Sequence, residues 1–260
     1  MNSPSAPAAP RLLPLGDTAW TVEFGQTIDP ALHARVQGLA EALGEARASA
    51  DAQLSGQFFG IVDVVPTFRS LTVHYDPSQT DGERLGEALL RLAQDAGSAS
   101  QVGRQWLIPV CFDDEYAPDL EDLAQSKGLA REAVIALMTG ATFQVYMIGF
   151  MPGFPYMGGL PEVLEMPRLA SPRQAVPARS LAVAGAMCAV YPWQSPGGWR
   201  LLGRTPVPMF AASESESPSL LASGDRVRWL AIAPARYLEI EAQVAAGSFD
   251  RQSLLQGEAR

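Results

Sequence analysis

The sequence predicts a mixed α+β, mainly β fold, in which a small N-terminal ferredoxin-like α/β domain precedes an irregular β-barrel. Strand-like and helix-like segments alternate over residues 11–100, and a polar run at 97–103 predicts a linker. Residues 149–208 then hold 8 of the 23 glycines and 10 of the 21 prolines. Such a segment excludes long helices and favours short strands joined by constrained turns.

The predicted N-terminal domain combines strands bounded by turn signals with two helices. Asp29 and Pro30 open the first helix because proline suits the first helical position, and Val36, Leu39 and Leu43 recur at helical spacing. Runs rich in β-branched and aromatic residues predict the strands. The predicted elements are strands within 12–25, 58–66 and 69–77, and helices over about 31–48 and 80–96.

The predicted second domain begins with a strand at Trp106 and two short helices. Pro118 suits the first position of a helix, and Gly128 suits the left-handed residue that ends it. A second helix is predicted over 130–139, and a last strand and helix within 225–244. The predicted boundaries are 1–10 for a flexible tail, 11–100 for the N-terminal domain, 101–245 for the barrel and 246–260 for a C-terminal tail.

Charge and composition exclude several classes of function. The chain has 28 acidic and 19 basic residues, a net charge of −9, and a single lysine, Lys127. Such a chain is a poor candidate for coating nucleic acid or an anionic membrane. The longest apolar stretch, Leu181–Tyr191, has 11 residues, whereas a membrane helix needs roughly 18 or more. The first ten residues lack a signal-peptide pattern, so we expect a cytoplasmic protein.

The residues that most often bind metals are scarce. Cys111 and Cys188 cannot form a disulfide framework, and they lie in strand-like apolar stretches where buried, inert thiols are expected. His33 and His74 are expected at the surface. The acidic cluster at 113–119 is interpreted first as a loop and helix start, and only secondarily as a magnesium site. We therefore expect no metal in this chain.

Local charge points to an anion site. Between residues 141 and 212, five arginines are accompanied by only two glutamates, although the whole chain is acidic. Guanidinium groups and the exposed N–H groups of glycine-rich turns bind carboxylate or phosphate. The alternative is that these arginines pair with acids elsewhere or lie in solvent. The segments GFMPGFPYMGG (149–159) and SPGGW (195–199) could each form a ligand wall or a structural loop.

No self-sufficient catalytic set is evident. Ser195 lacks the first glycine of a nucleophile elbow, and neither histidine is near it in sequence. The phosphate-binding loop, the dinucleotide fingerprint and the zinc-protease motif are all absent from the sequence. An anion-binding cleft without an identifiable nucleophile, base or metal favours a binding subunit, or half of a composite active site.

Three long motifs resemble one known family. They are VYMIGFMPGFPYMGGLP (145–161), PRLASPRQAVP (167–177) and YPWQSPGGWRLLGRTP (191–206), and with their flanks the resemblance covers roughly residues 11–235. The chain is identified as a member of the allophanate hydrolase subunit 1 family, which includes the B subunit of 5-oxoprolinase and a bacterial sporulation-kinase inhibitor. The resemblance implies an N-terminal α/β domain followed by a cyclophilin-like β-barrel.

The resemblance also implies work within a complex. Members act with a subunit 2 protein, also called the C subunit, and in the 5-oxoprolinase system with a barrel-type A subunit. That assembly opens 5-oxoproline, a small anionic substrate, to glutamate at the expense of ATP. The resemblance implies that this chain is inactive without its partners. Two alternatives stay open: a binding module that inhibits a sensor histidine kinase, and a carboxyltransferase-type subunit of a urea- or allophanate-degrading biotin enzyme.

The family motifs and the charge pattern together assign an expected ligand-binding site, but they identify no catalytic residue. Arg168, Arg173 and Arg204 are expected to bind the anion. The other expected site residues are Ser195, Gly197, Gly198 and Trp199 as a cradle, and Gly149, Pro152, Gly153, Phe154 and Tyr156 in the loop before it.

Three positions depart from the family pattern. Relatives usually carry a histidine where this chain has Met138, a glycine where it has Arg179, and a polar pair where it has Met187 and Cys188. If the histidine acts as an acid or base, its loss changes the chemistry. Arg179 adds bulk and charge where the family keeps space.

Overall fold

The computed structural model describes residues 9–97, 103–214 and 217–256. The chain divides into two compact units, Met1–Val102 and Gly103–Arg260. The division falls in the run predicted as a linker, of which residues 98–102 lie outside the described part, as do residues 1–8 of the predicted N-terminal tail. Each unit has its own sheet and its own hydrophobic core.

The first unit is a four-stranded sheet accompanied by helices. Its elements are β1 (Arg11–Pro14), β2 (Ala19–Glu23), α1 (Pro30–Ala48), α2 (Ala52–Gly56), β3 (Ile61–Pro66), β4 (Ser70–Tyr75) and α3 (Gly82–Asp95). The strand order is β1-β2-β4-β3, and all neighbours are antiparallel. β4 therefore lies between β2 and β3, which α1 connects as a split βαβ unit. The order along the chain, ββααββα, differs from the βαββαβ order of the predicted ferredoxin-like motif.

Side-chain caps and burial explain the helices of this unit. The Asp29 carboxylate accepts a hydrogen bond from the backbone N–H of Ala31 at 2.6 Å, and Pro30 is the first helical residue, as predicted. The prediction for His33 is wrong, because this residue is fully buried. Its Nδ1 lies 3.1 Å from the carbonyl oxygen of Thr67, which holds α1 to the loop between β3 and β4.

The second unit contains more elements than the sequence predicts. They are β5 (Gln105–Cys111), α4 (Leu120–Lys127), α5 (Arg131–Gly140), β6 (Phe143–Ile148), β7 (Pro155–Gly158), β8 (Arg173–Val176), β9 (Ser180–Ala184), β10 (Met187–Val190), β11 (Ser195–Gly197), β12 (Arg200–Arg204), β13 (Arg226–Ile232) and α6 (Pro234–Ala245), with short 3₁₀ turns at Glu162–Leu164 and Arg251–Leu254.

Seven of these strands close into a barrel in the order β10-β7-β6-β13-β5-β12-β9. The pair β13 and β5 is parallel, whereas every other neighbouring pair in the barrel is antiparallel. β8 and β11 form a separate two-stranded sheet. The predicted irregular barrel is therefore present, while the cyclophilin-like description stays an expectation of the resemblance.

Successive residues of one strand pack into two different hydrophobic clusters. On β9, Leu181 and Val183 join the larger core, which also holds side chains of α4 and α5, while Ala182 and Ala184 join a smaller cluster. This alternation follows from the pleat, which points successive side chains to opposite faces. The smaller cluster contains Phe154 and Trp199, and it is the part of the unit that carries the candidate site.

Two boundaries differ from their predictions. Pro118 does not begin a helix, because α4 starts at Leu120 and the side chain of Asp119 does not cap it. Residues that the sequence places in a C-terminal tail pack on the barrel: Leu254 joins the larger core, and Leu255 forms an isolated bridge with Trp106. Residues 257–260 lie outside the described part.

Candidate functional site

A pocket of about 280 Å³ opens on the second unit. Six of the twelve predicted site residues line it: Phe154, Tyr156, Arg168, Gly197, Gly198 and Trp199. Four further lining residues are not among those that the sequence assigns to the site: Phe150, Pro172, Tyr191 and Pro196. All four lie inside the three family motifs, so the motifs themselves are the signal that could have found them.

The loop between β6 and β7 shapes one side of the pocket. Gly149 donates its backbone N–H to the carbonyl of Phe154 at 3.1 Å, which closes the loop. Gly153 has φ +77°, and a Cβ there would lie 2.8 Å from the Cβ of Phe210, so only glycine fits. Gly149, Pro152 and Gly153 therefore set the loop's conformation and do not line the pocket.

Phe150 is held in an unusual conformation at the pocket mouth. Its φ is +67°, in the left-handed region that non-glycine residues rarely adopt, and 70% of its side chain is exposed. Its ring meets Phe154 edge-on, with 5.5 Å between the ring centroids. Strain of this kind persists where the surrounding structure imposes it, and it concentrates at functional sites.

Aromatic rings form the interior of the pocket around Phe154, which is 2% exposed. The rings of Tyr191 and Trp199 meet Phe154 edge-on, with centroid distances of 5.2 and 6.1 Å and interplanar angles of 89°. The Tyr156 ring lies 4.9 Å from Phe154 and 6.0 Å from Trp199. Such a set of rings favours a flat or apolar group in the pocket.

Arg168 supplies the positive charge of the pocket. Its guanidinium carbon lies 5.8 Å from the centroid of the Trp199 ring, a cation–π contact. The side chain is exposed, and no acidic residue in the described ranges lies within ion-pairing distance of it. The sequence prediction for Arg168 as an anion ligand is thus compatible with its position.

Arg173 does not line the pocket, and its guanidinium is paired with a carboxylate. Its Nη2 is 2.6 Å from a carboxylate oxygen of Asp119, which is 3% exposed. The second oxygen of Asp119 accepts a hydrogen bond from the backbone N–H of Leu201 at 2.7 Å. Arg173 therefore follows the alternative interpretation of the sequence, in which an arginine pairs with an acid elsewhere in the chain.

Neither Arg204 nor Ser195 lines the pocket. The Arg204 Nε donates to the carbonyl of Ala178 at 2.9 Å, and Arg204 does not line the pocket. Ser195 is in β11, where its Oγ is 3.3 Å from the carbonyl oxygen of Pro196. Of the three predicted anion-binding arginines, Arg168 alone lines the pocket.

Gly197 allows β11 to pack closely against the pocket residue Tyr191. A Cβ on Gly197 would lie 2.3 Å from the hydroxyl oxygen of Tyr191, so this close approach requires glycine. Burial raises the pKa of the Tyr191 hydroxyl, and the hydrogen bond from the Trp199 backbone and the charges of Arg168 and Arg173 oppose the rise. Burial likewise raises the pKa of Tyr156. Both tyrosines are therefore neutral hydroxyls near neutral pH.

The departures from the family pattern have separate structural settings. Met138 is fully buried in the larger core, on the other face of the strands from the pocket cluster. Arg179 has φ +68°, which explains why glycine suits this position. Its guanidinium donates to Glu241 at 2.6 Å and to the carbonyl of Pro206 at 2.8 Å, and these contacts hold the strained residue.

Both thiols are expected to be inert in the folded protein. Burial raises the pKa of Cys188 and of Cys111, and both side chains are fully buried, as predicted. Because the thiolate is the reactive form, a disulfide reagent at about pH 8 should titrate neither thiol in the native state. Both should react after unfolding in guanidinium. Rapid native-state reaction of one thiol would contradict the burial described.

The described part of the chain offers neither a metal-binding cluster nor a membrane-spanning helix. No group of three or more histidine, cysteine, aspartate or glutamate side chains within 9–97, 103–214 and 217–256 is placed to hold a metal ion. In the same ranges, none of the helices combines the length and apolar character that crossing a membrane requires.

Comparisons with known proteins agree with the motifs. A family model described as carboxyltransferase domain, subdomain C and D, matches residues 10–221. The B subunit of 5-oxoprolinase from Bacillus subtilis (strain 168) is 35% identical over 238 residues, which cover 86% of this chain and 93% of that protein. The B subunit of 5-oxoprolinase from Haemophilus influenzae is 40% identical over 170 residues, covering 65% of this chain and 79% of that protein.

Solved structures share the fold. The crystal structure of TTHA0988 is 36% identical with a TM-score of 0.69, and the match covers 83% of this chain but only 40% of that longer chain. The urea carboxylase of Kluyveromyces lactis is 19% identical with a TM-score of 0.74, over 93% of this chain and 23% of that chain, a likeness of fold alone. The chain thus belongs to the family of carboxyltransferase subdomains C and D that includes the B subunit of 5-oxoprolinase and allophanate hydrolase subunit 1, as the motifs in residues 145–206 predict.

Proposed function

We propose that this chain is one component of an oxoprolinase-like complex that hydrolyses 5-oxoproline to glutamate at the expense of ATP. The observation that carries the proposal is the aromatic pocket with Arg168 at its edge, in a chain whose relatives are named as the B subunit of 5-oxoprolinase. In this proposal Arg168 binds the substrate carboxylate, and the rings of Tyr156 and Trp199 contact the five-membered ring.

The size of the pocket favours a small ligand over a nucleotide. Its volume of about 280 Å³ lies just below the roughly 300–1,000 Å³ that is usual for pockets of drug-sized ligands and cofactors. We propose that ATP binds elsewhere in the complex. The proposed ligand, a five-membered lactam with one carboxylate, is much smaller than a nucleotide.

The chemistry of the pocket supports binding rather than catalysis by this chain alone. Its described lining holds no histidine, cysteine, aspartate, glutamate or serine, and burial keeps the tyrosine hydroxyls of Tyr156 and Tyr191 protonated. We propose that a subunit 2 partner (the C subunit) and a barrel-type A subunit supply the ATP site and the catalytic groups. The greater length of TTHA0988, in which the matching region is 40% of the chain, agrees with a further component beside this one.

The proposal is tested by isolating the tagged chain from the organism that encodes it and measuring ATP hydrolysis that depends on 5-oxoproline. Glutamate release in proportion to ATP consumed, with both partners present, is the expected result. A complex that contains a biotinylated protein and lacks this activity would indicate a carboxyltransferase-type subunit instead. A complex with a sensor kinase, again without this activity, would indicate the regulatory alternative.

An Arg168→Gln variant of that complex should show a rise in the KM for 5-oxoproline of about 10- to 100-fold, since a charge-assisted hydrogen bond contributes roughly 1.5–3 kcal/mol. Arg228→Gln is the matched control, because Arg228 is exposed on β13 and does not line the pocket. Equal KM values in the two variants would remove Arg168 from substrate binding.

A further inference from the structure

Tyr191 is fixed in the pocket wall by its backbone and by its ring. It follows β10 directly, lines the pocket and is 2% exposed. Its backbone N–H donates to the carbonyl of Ser180 at 3.0 Å, and its carbonyl accepts the N–H of Arg179. The ring meets Phe154 edge-on. The position of the Tyr191 hydroxyl is therefore set by the fold.

The oxygen of the Tyr191 hydroxyl accepts a hydrogen bond, which leaves its proton to be donated. The backbone N–H of Trp199 donates to this oxygen, and the glycine at position 197 keeps β11 close to it. A phenol has one proton to donate besides the lone pairs that accept. Within residues 9–97, 103–214 and 217–256, the structure shows no acceptor for that proton.

The other groups around this hydroxyl leave it a neutral donor. Burial is the largest influence on its pKa and raises it, as does Tyr156. The positive charges of Arg168 and Arg173 act in the opposite direction without cancelling the rise. None of the ten described lining side chains carries a carboxylate or amide oxygen. A ligand oxygen is therefore the acceptor that the Tyr191 proton lacks.

The two polar groups of the pocket suit two different oxygens. A guanidinium binds a carboxylate by two parallel hydrogen bonds, so Arg168 satisfies an anionic group without help from the phenol. A neutral phenol proton is matched by a neutral carbonyl oxygen, and a buried donor left without an acceptor is costly. A ligand with both groups would be held at two points, and its orientation in the pocket would then be fixed.

We infer that Tyr191 is a specificity-determining residue of this pocket, whose hydroxyl donates a hydrogen bond to a carbonyl oxygen of the ligand while Arg168 binds the carboxylate. This inference rests on the proposed function and adds to it the residue that recognises the lactam carbonyl. The glycine at position 197 and the backbone N–H of Trp199 orient the donor, and Tyr191 itself contacts the ligand.

The experiment compares two probes on the purified full-length chain by titration calorimetry. The probes are 5-oxoproline and cyclopentanecarboxylate, which share a five-membered ring and a carboxylate, but only the first has a carbonyl in its ring. Tyr191→Phe removes the hydroxyl alone. It should weaken 5-oxoproline binding about 3- to 10-fold, as expected for a neutral hydrogen bond, and leave cyclopentanecarboxylate binding unchanged. A distorted pocket would weaken both probes, so the difference between them isolates the hydrogen bond.

Two further variants control for loss of structure. Tyr237→Phe is the matched control, because the Tyr237 hydroxyl is buried, has no partner in the described ranges and does not line the pocket. It should leave both affinities unchanged. Since Tyr191→Phe deprives the Trp199 N–H of its acceptor, we expect it to melt at a lower temperature. Tyr191→3-fluorotyrosine keeps the oxygen and is a stronger donor, so it should tighten binding of 5-oxoproline alone.

Equal losses for the two probes in Tyr191→Phe would overturn the inference, because Tyr191 would then act through packing or on the carboxylate. Unchanged 5-oxoproline affinity in that variant would overturn it too, as would failure of the isolated chain to bind 5-oxoproline. None of these results contradicts ATP-dependent hydrolysis by the complex, so the proposed function would stand. If the probes differ as expected while the complex does not hydrolyse 5-oxoproline, the proposed function fails and the role of Tyr191 stands.

Discussion

Replacing Arg173 with alanine is expected to lower the free energy of unfolding by about 3–5 kcal/mol, because the change leaves a buried carboxylate without its counter-ion. Asp119 is 3% exposed, and its partner guanidinium nitrogen lies 2.6 Å away. The backbone N–H of Leu201 would remain as a single donor to that carboxylate. The melting temperature should fall by roughly 6–20 °C for a chain of this size.

A double variant separates the ion pair from other effects. Replacing both partners, as in Asp119→Asn with Arg173→Met, removes both charges together and should cost much less than Arg173→Ala alone. Urea denaturation of the wild type, Asp119→Asn, Arg173→Met and the double variant measures the coupling energy between the two side chains. If Arg173→Ala leaves the stability unchanged but abolishes ligand binding, Arg173 is a ligand-binding residue, as the sequence alone predicts, and its assignment to a structural ion pair is wrong.

Gly197→Ala should distort the pocket and weaken binding of 5-oxoproline. The new Cβ would lie 2.3 Å from the hydroxyl oxygen of Tyr191 and 2.8 Å from the adjacent ring carbon, so the tyrosine or β11 must move. Because Gly197 and Tyr191 both line the pocket, the movement changes the pocket itself. Overpacking of this kind costs about 1–3 kcal/mol of stability.

The neighbouring glycine provides the matched comparison for stability. A Cβ on Gly198 would meet Pro172 and Leu169 at 3.7 Å, which is ordinary van der Waals contact. Thermal unfolding should therefore show a clear loss for Gly197→Ala and a change near zero for Gly198→Ala. Equal melting temperatures in the two variants would mean that Tyr191 can move away without strain.

The sequence predicts local elements well where a single physical signal decides them. Proline at the first position of α1 with the Asp29 cap, and glycine at the left-handed end of α4, appear where the sequence predicts them. The sequence places the start of α4 two residues early, because Asp119 looks like an ordinary first-turn acid and its buried partner is distant in sequence. His33 is misplaced for a similar reason: its acceptor, Thr67, belongs to another loop.

The candidate site is half predictable from the sequence. The motifs identify the aromatic loop and the SPGGW turn, because unusual glycine and proline spacing is visible in the sequence itself. The three arginines of the motifs look equivalent in the sequence. They differ in the structure because Arg168 lies over Trp199, Arg173 pairs with Asp119 and Arg204 bonds to Ala178.

The sequence by itself therefore determined the family, the barrel of short strands and the segments that build the pocket, because turn chemistry and strand periodicity act over a few neighbouring residues. Tertiary structure alone decided which cation stays available for a ligand. An ion pair such as that of Arg173 with Asp119 joins residues 54 positions apart, and only the closed fold brings them within hydrogen-bond distance. In the closed fold Arg168, and neither Arg173 nor Arg204, lines the aromatic pocket.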